Sequence, residues 1–276
     1  MSPTTLRIQT RTDDFQLLEV LSRNRKKRSK LRQFLVEGVQ SINLLLANGW
    51  EVESFVYSPE RKRSSWAKEI LSSSRAARHI ELADELMAEL SDRDETSELI
   101  AVARMPERGL GDIPTTAPAL IVVVDRPANP GNLGTLIRSC DALDAQGVVL
   151  CGHAVDPFDP RTIRASAGSL FALPVISQTS TADLTAWLDR LRNELAGLKI
   201  VGSSAGATTS SAAHDFLDST VLVIGNERSG LSHAFSELCD EIVAIPMSGS
   251  VSSLNVSCAA SILLYEIGRQ RRARSQ

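Results

Sequence analysis

Aromatic residues are scarce in this chain, with 7 Phe, 3 Trp and 2 Tyr among 276 residues. Its core must therefore be mostly aliphatic, and a base-stacking sheet that reads single-stranded RNA is disfavoured. Long apolar runs are missing as well. The best, at 119–124, falls far short of the ~20 residues that cross a bilayer, and the N-terminus lacks the apolar stretch of a secretion signal. A cytoplasmic protein with no membrane partner is expected. The four cysteines (Cys140, Cys151, Cys239, Cys258) lie far apart and form no Cys-x-x-Cys pair. His79, His153, His214 and His233 show no ligand spacing, so neither a disulfide scaffold nor a metal site is expected. The net charge of −3 points to no particular partner.

What is present reads as one or two ordinary globular domains, 43% hydrophobic and 23% charged. One stretch breaks the charge balance. Arg23, Arg25, Lys26, Lys27, Arg28, Lys30 and Arg32 follow one another with no acid among them, so helix-stabilising i,i+4 pairs do not explain the run. A polyanion-binding patch competes here with a solvated helix end. Residues 105–118 hold Pro106, Gly109, Gly111, Pro114 and Pro118 and read as a linker. Before it, helical patterns at 14–21, 39–47, 66–71 and 84–90 alternate with strand patterns at 34–36, 52–57 and 99–103, which makes a small α/β domain.

After the linker, short apolar runs recur at 119–124, 147–150, 174–176, 198–201, 220–224 and 242–245, and helical patterns stand between them at 133–143 and 184–195, with a long one at 254–269. This alternation predicts a parallel sheet covered on both faces. Ligands of such sheets bind on the loops after the strands' carboxyl ends, so chemistry is sought there. The first strand runs into Asp125, then Asn129-Pro-Gly131-Asn132-Leu-Gly134, with Arg138 two turns into a helix. The glycines give G-x-x-G and not the dinucleotide fingerprint. Arg138 follows Leu133, Leu136 and Ile137, where a charge is expected to need a partner.

The fourth strand runs into Gly202-Ser203-Ser204-Ala205-Gly206, a match to the G-x-S-x-G elbow of hydrolases, for which Asp215 or Asp218 and then His233 would complete a triad. Against it, the residues that follow are a poor helix. The fifth strand ends in Gly225-Asn226-Glu227-Arg228-Ser229-Gly230-Leu231, a P-loop imitation with Leu where the phosphate-binding Lys is required. Glu227 can accept from hydroxyls or amines, or can merely neighbour the N-terminus of the next helix. The sixth strand leads through Ile245-Pro246-Met247 to Ser252, Ser253, Leu254 and Asn255. Ser252 or Ser253 suits an N-cap, while an amide at Asn255 inside an apolar helix needs partners.

Taken in order, Asn132-x-Gly134-x-x-x-Arg138, Gly225-Asn226-Glu227-x-x-Gly230-Leu231 and Ile245-Pro246-Met247…Ser253-Leu254-Asn255-Val256-Ser257 resemble the three signature motifs of the SpoU (TrmH-type) RNA ribose methyltransferases of the SPOUT class. Arg164-Ala-Ser-Ala-Gly-Ser resembles the family's second arginine segment. Asn24-Arg-Lys-Lys-Arg followed by Phe34-Leu-Val-Glu-Gly resembles its L30e-like domain.

The resemblance implies a smaller N-terminal L30e-like α/β RNA-binding domain (1–106), a linker (107–118) and a C-terminal parallel-sheet α/β trefoil-knot domain (119–276), a rare exception to unknotted topology. It also implies a homodimer, with the helix from 254 to 267, including Ala259, Ala260 and Leu263, as its face. The implied activity is methyl transfer from S-adenosylmethionine to a ribose 2′-hydroxyl of structured RNA. Ribosomal RNA, specifically 23S, is preferred; a transfer RNA substrate or a silent RNA-binding relative is the alternative. Cofactor contacts carry over to Gly202, Ser203, Gly225, Asn226, Ile245, Met247 and Leu254. Asn132, Arg138, Glu227, Ser253 and Asn255 form the implied catalytic set, with Arg138 toward the ribose-phosphate and developing alkoxide. An arginine stays protonated in proteins, which leaves the base open. Arg164 and the cluster Arg23, Arg25, Lys26, Lys27, Arg28, Lys30 and Arg32 would grip RNA phosphates.

Overall fold

The computed structural model describes residues 3–91 and 95–274. The chain divides into two compact units, 1–107 with 158–172 and 108–157 with 173–276.

In the first unit the order is β1 (Thr4–Ile8), α1 (Asp13–Arg23), α2 (Arg25–Leu31), β2 (Gln33–Glu37), α3 (Val39–Ala47), β3 (Val52–Tyr57), α4 (Ser65–Ser73), β4 (Arg78–Leu82), α5 (Asp84–Leu90) and β5 (Ile100–Arg104). The strands form one sheet in the order β1-β4-β3-β5-β2. Because side chains alternate along a strand, Leu35, Val56, Ile80, Ile100 and Val102 share one face and bury against Phe15, Leu18 and Leu21 of α1 and Leu86, Met87 and Leu90 of α5. Two strands, β1 and β4, escape the sequence pattern because Thr4, Thr5, Arg7, Arg78 and Glu81 dilute their apolar positions.

In the second unit β6 (Leu120–Asp125), α6 (Pro130–Ala142) and β7 (Gly147–Cys151) come first. The chain then contributes α7 (Pro160–Ser166) and α8 (Ser169–Ala172) to the first unit, a departure from the boundaries read from sequence. Aromatic packing holds this excursion there. Phe34 lies 4.6 Å from Phe158 between ring centroids, Trp50 lies 5.2 Å from Phe171, and the Trp50 indole donates to the Phe171 carbonyl at 3.0 Å. Returning, the second unit adds β8 (Val175–Gln178), α9 (Thr181–Glu194), β9 (Lys199–Ser203), β10 (Thr209–Ser210), β11 (Thr220–Ile224), α10 (His233–Leu238), β12 (Glu241–Ala244) and α11 (Val256–Arg274).

Its seven strands are parallel, in the order β10-β12-β9-β11-β6-β7-β8. Ile121, Val123, Val149, Ile200 and Val223 bury one face against Leu184, Trp187, Leu188 and Leu191 of α9. The helices α6 and α11 pack on each other, burying Leu133, Leu136 and Ile137 with Ala260, Leu263 and Leu264. The expected two-sided parallel sheet is thus present.

Three expectations need correction. Arg28 is not a solvated cation of the basic run, for it is 2% exposed. Its guanidinium donates to the Leu21 and Ser22 carbonyls at 2.9 and 3.1 Å and stands 3.8 Å from Asp159. The run is also not without i,i+4 support, because Glu19, just ahead of it, pairs with Arg23 at 3.0 Å. On α11, Ala260 and Leu263 are buried within the chain; the apolar residues facing outward there are Ile262 and Tyr265, preceded by Leu254 and Val251. Among the described residues no helix is long and apolar enough to cross a membrane.

Candidate active site

The site begins where β6 ends. Asn129 caps α6, its side chain accepting from the Asn132 amide at 3.0 Å, and Pro130 occupies the first helical turn. This is the usual start of a helix, and it sets Asn132 at the helix mouth. From the end of β11, Glu227 reaches over to the same place. Its carboxylate accepts from the Ala128 and Asn129 amides at 3.1 Å each and from Asn132 Nδ2 at 3.4 Å. A carboxylate at helix-entry amides is favoured by charge and by hydrogen bonding together. Glu227 thus stands at the N-terminus of α6 and not of the helix that follows it in the chain, and its partners there are amides.

The third loop closes the group. Asn255 Nδ2 donates to Asn132 Oδ1 at 3.0 Å, while Asn255 Oδ1 accepts from the Ser257 amide at 2.9 Å and the Ser257 hydroxyl at 2.6 Å. Asn255, and not Ser252 or Ser253, thus caps α11. Its amide is exposed at the helix start, a correction to its expected burial inside the helix. Glu227, Asn132 and Asn255, 123 residues apart at the extremes, form one hydrogen-bonded line. Arg138 stands further along α6. It is exposed, which removes the expected need for a partner, and it forms no ion pair among the described residues.

Beside this line lies a cleft of about 350 Å³. Ser203, Gly225, Asn226, Ile245, Met247 and Leu254 line it, together with Ser253 and Glu227. Gly202 does not line it. A Cβ there would come within 2.8 Å of Cys239 Sγ and Leu231 Cδ1, so that glycine serves packing behind the cleft. Gly225 is needed for a close approach, since a Cβ would stand 2.4 Å from the Gly230 carbonyl carbon. The turn closes through reciprocal Asn226–Gly230 backbone bonds of 3.0 Å. The lining of the cleft also includes Ser204, Arg228 and Val256: the sequence offers Ser204 only as the serine of a hydrolase elbow, and Arg228 and Val256 stand within motif stretches without a role of their own.

The strand-end Asp125 received no role from sequence. It is 1% exposed, and Arg126 Nε and Nη2 donate to its two oxygens at 2.8 and 3.0 Å, with the Ser232 amide at 2.8 Å. Burial pushes its carboxyl up, but these hydrogen bonds outweigh it and hold Asp125 below the usual aspartate range.

The elbow reading fails on geometry. The residues after Ser203-Ser204-Ala205-Gly206 enter β10 and not a helix, His233 is exposed and pairs with Glu237 at 3.3 Å, and Asp215 accepts from the Leu217 amide. Thiol chemistry fails too for Cys151 and Cys239, since burial pushes each up to about 12.

The description of the SpoU rRNA methylase family matches residues 119–265, and that of the SpoU L30e-like domain matches residues 12–101. The chain belongs to the SpoU rRNA methylase family. The 23S rRNA (uridine(2479)-2′-O)-methyltransferase of Streptomyces viridochromogenes is 41% identical over 271 residues, which span 98% of this chain and 94% of that one. The crystal structure of the SpoU methyltransferase AviRb from that organism, in complex with the cofactor AdoMet, superposes with a TM-score of 0.91 at 41% identity and covers 95% of this chain and 99% of its own. An AdoMet-bound rRNA methyltransferase from Sinorhizobium meliloti gives 0.83 at 28% identity, covering 96% and 98%. In this SpoU-family chain all three motif loops reach one rim of the parallel sheet.

Proposed function

We propose that this chain transfers a methyl group from S-adenosylmethionine to a ribose 2′-hydroxyl of 23S ribosomal RNA. The observation that carries the reading is the Glu227–Asn132–Asn255 line beside a cleft of ligand size, in a chain similar over nearly its full length to a 23S rRNA 2′-O-methyltransferase. The cleft fits the cofactor. Ile245, Met247 and Leu254 offer apolar walls to a ring, and the turn 225–230, which a Cβ at Gly225 would fill, offers backbone groups to polar edges. Bound there, S-adenosylmethionine supplies a methyl group on a sulfonium that leaves readily.

The chain's task is the other reactant. A ribose hydroxyl is a weak nucleophile, and holding it within about 3 Å of the methyl in line supplies much of the rate. Asn132 and Asn255, each fixed by the other and by Glu227 or Ser257, present amide groups that orient the ribose. Ser253 stands on the cleft wall beside them. Arg138, exposed and protonated, steadies the ribose-phosphate and the charge growing on the oxygen.

The first unit is the RNA substrate domain in this reading, with Arg23, Arg25, Lys26, Lys27, Lys30 and Arg32 at its surface. Arg164, also exposed, adds a phosphate contact. Such cations bind backbone without reading sequence. The outward Ile262 and Tyr265 of α11 support a homodimer. The strand order, with β12 between β9 and β10 before α11 packs on α6, supports the trefoil knot. A ribosomal RNA substrate fits a cytoplasmic location.

The test incubates the protein with methyl-labelled S-adenosylmethionine and unmodified ribosomal RNA, followed by alkaline hydrolysis. Label is expected in alkali-resistant dinucleotides from 23S RNA, because a methylated 2′-oxygen no longer attacks its phosphodiester. Label in transfer RNA alone would overturn the substrate, cofactor binding without transfer to either RNA would favour a silent RNA-binding relative, and no cofactor binding would overturn the site.

A further inference from the structure

The pair Asp125–Arg126 belongs to neither the cleft lining nor the Asn132 line, yet it ties the two together. Arg126 has φ +53, a left-handed backbone that non-glycine residues adopt rarely. That turn folds its side chain back onto the carboxylate of its own neighbour. Gly152 at the end of β7 leaves the room, since a Cβ there would sit 2.8 Å from Arg126 Cγ. From this position the dipeptide holds both ends of the turn that walls the cleft. Asn226 Nδ2, at its start, donates to the Arg126 carbonyl at 2.7 Å. At its end, Arg126 Nη2 donates to the Gly230 carbonyl at 3.4 Å, and the Ser232 amide donates to Asp125. Two and three residues beyond Arg126, past Pro127, stand Ala128 and Asn129, whose amides meet Glu227.

The geometry points to the Asp125–Arg126 ion pair as a positioning element that sets the shape of the turn 225–232, and through it the affinity for S-adenosylmethionine. This rests on the cleft being the S-adenosylmethionine site. The carboxylate is buried and fully occupied, so a change at Asp125 leaves the Arg126 and Ser232 donors without their acceptor, and a change at Arg126 leaves a buried carboxylate short of its donors. Neither residue touches the reacting atoms. Their effect therefore falls on cofactor binding and KM more than on kcat.

Two variants separate this role from general stability. Arg126→Gly removes the guanidinium yet keeps a residue at ease with φ +53. Asp125→Asn keeps the shape but puts an NH2 where only acceptors fit. Calorimetric titration of each full-length variant with S-adenosylmethionine is expected to show binding weakened about tenfold or more. Amide exchange of the peptide spanning 225–232 should quicken, and KM for the cofactor should rise more than kcat falls. As a stability control, Arg192→Ala removes an ion pair to Asp240 of 2.8 Å on the far side of the sheet and should leave binding unchanged.

Wild-type protein that binds no S-adenosylmethionine would overturn the reading of the cleft. Wild-type protein that binds it, with both variants binding equally well and the turn equally protected, would overturn only this inference. If Asp125→Asn does not fold, Arg126→Gly alone decides it.

Discussion

Arg138 illustrates how residue type and residue environment give different information. Its spacing from Asn132 marks the motif, whereas the argument that a charge among Leu133, Leu136 and Ile137 must be paired does not survive. The helix turns the guanidinium outward, away from the face those three bury. An exposed side chain with no ion pair among the described residues contributes little to folding. Arg138→Ala is therefore expected to stay within about 0.5 kcal/mol of wild type in denaturant unfolding while losing methyl transfer at least about a hundredfold, the order lost with one donor aimed at the transition state. Near-normal turnover would remove Arg138 from the machinery. Asn255 shows the opposite case. Its partners were anticipated, but not its position, because the pattern that predicts a helix over 254–269 is blind to a cap that begins at Val256.

At the scale of elements, the strongly apolar strands were legible and the mixed ones were not. β6, β7 and β11 are buried along their whole length and read as continuous apolar runs. β4, with Arg78, His79 and Glu81, does not. The helix α2 was hidden for a related reason: RKKRSKL has no apolar stripe, and its one inward residue is a cation. Arg28 there joins the carbonyls ending α1 to Asp159, the cap of α7. Its loss leaves the Leu21 and Ser22 carbonyls without this donor, while Asp159 keeps Arg161, so Arg28→Ala should cost about 2 kcal/mol in unfolding free energy, whereas Lys27→Ala should cost less than about 0.5 kcal/mol. In RNA-binding titrations Lys27→Ala should flatten the dependence on salt. An equal stability loss in both variants would show Arg28 to be a surface residue.

His79 of β4 carries a pH dependence of the same unit. Burial pushes its imidazole below the ordinary value of 6.5, against a smaller pull upward from Glu81; Tyr57 lies edge-on at 6.2 Å, and the His79 Nε2 has no hydrogen-bond partner among the described residues. With the folded value depressed, protonation favours the unfolded chain. The stabilising contribution is complete above the unfolded histidine value and is lost as pH falls below it toward the folded one. Between about pH 7 and pH 5, the melting temperature of His79→Leu should fall less than that of the wild type. Parallel curves for the two proteins would refute the assignment.

For the whole molecule, the domain count and the two-sided parallel sheet were legible from the linker prolines and the alternation of runs. The return of Phe158–Ala172 to the first unit was not, because nothing in a local pattern tells which of two units a helix will join. The outward apolar residues of α11 lie inside the expected segment 254–267 but are not the ones singled out in it, for a similar reason. Alanine and leucine suit an interface and a core equally, and Ala260 and Leu263 went to the core. The outward face instead carries Ile262, 42% exposed, and Tyr265, 55% exposed. Sedimentation velocity should find wild type as a dimer and Ile262→Asp with Tyr265→Asp as a monomer, since a charge facing its own copy is repelled across a two-fold axis. A wild-type monomer would overturn the proposal.

The cleft draws its walls from Ser203 through Ala259, and the mouth of α6, at Asn132, is tied to the start of the final helix. Every strand of the second sheet, β6 through β12, thus precedes α11 in the chain, and α11 supplies Val256 and Ala259 to the cleft wall. Without α11, Leu133, Leu136 and Ile137 would lose the cover of Ala260, Leu263 and Leu264, and the cleft would lose part of its wall. The shape of the cleft is consequently tied to the docking of a single helix, α11, on α6.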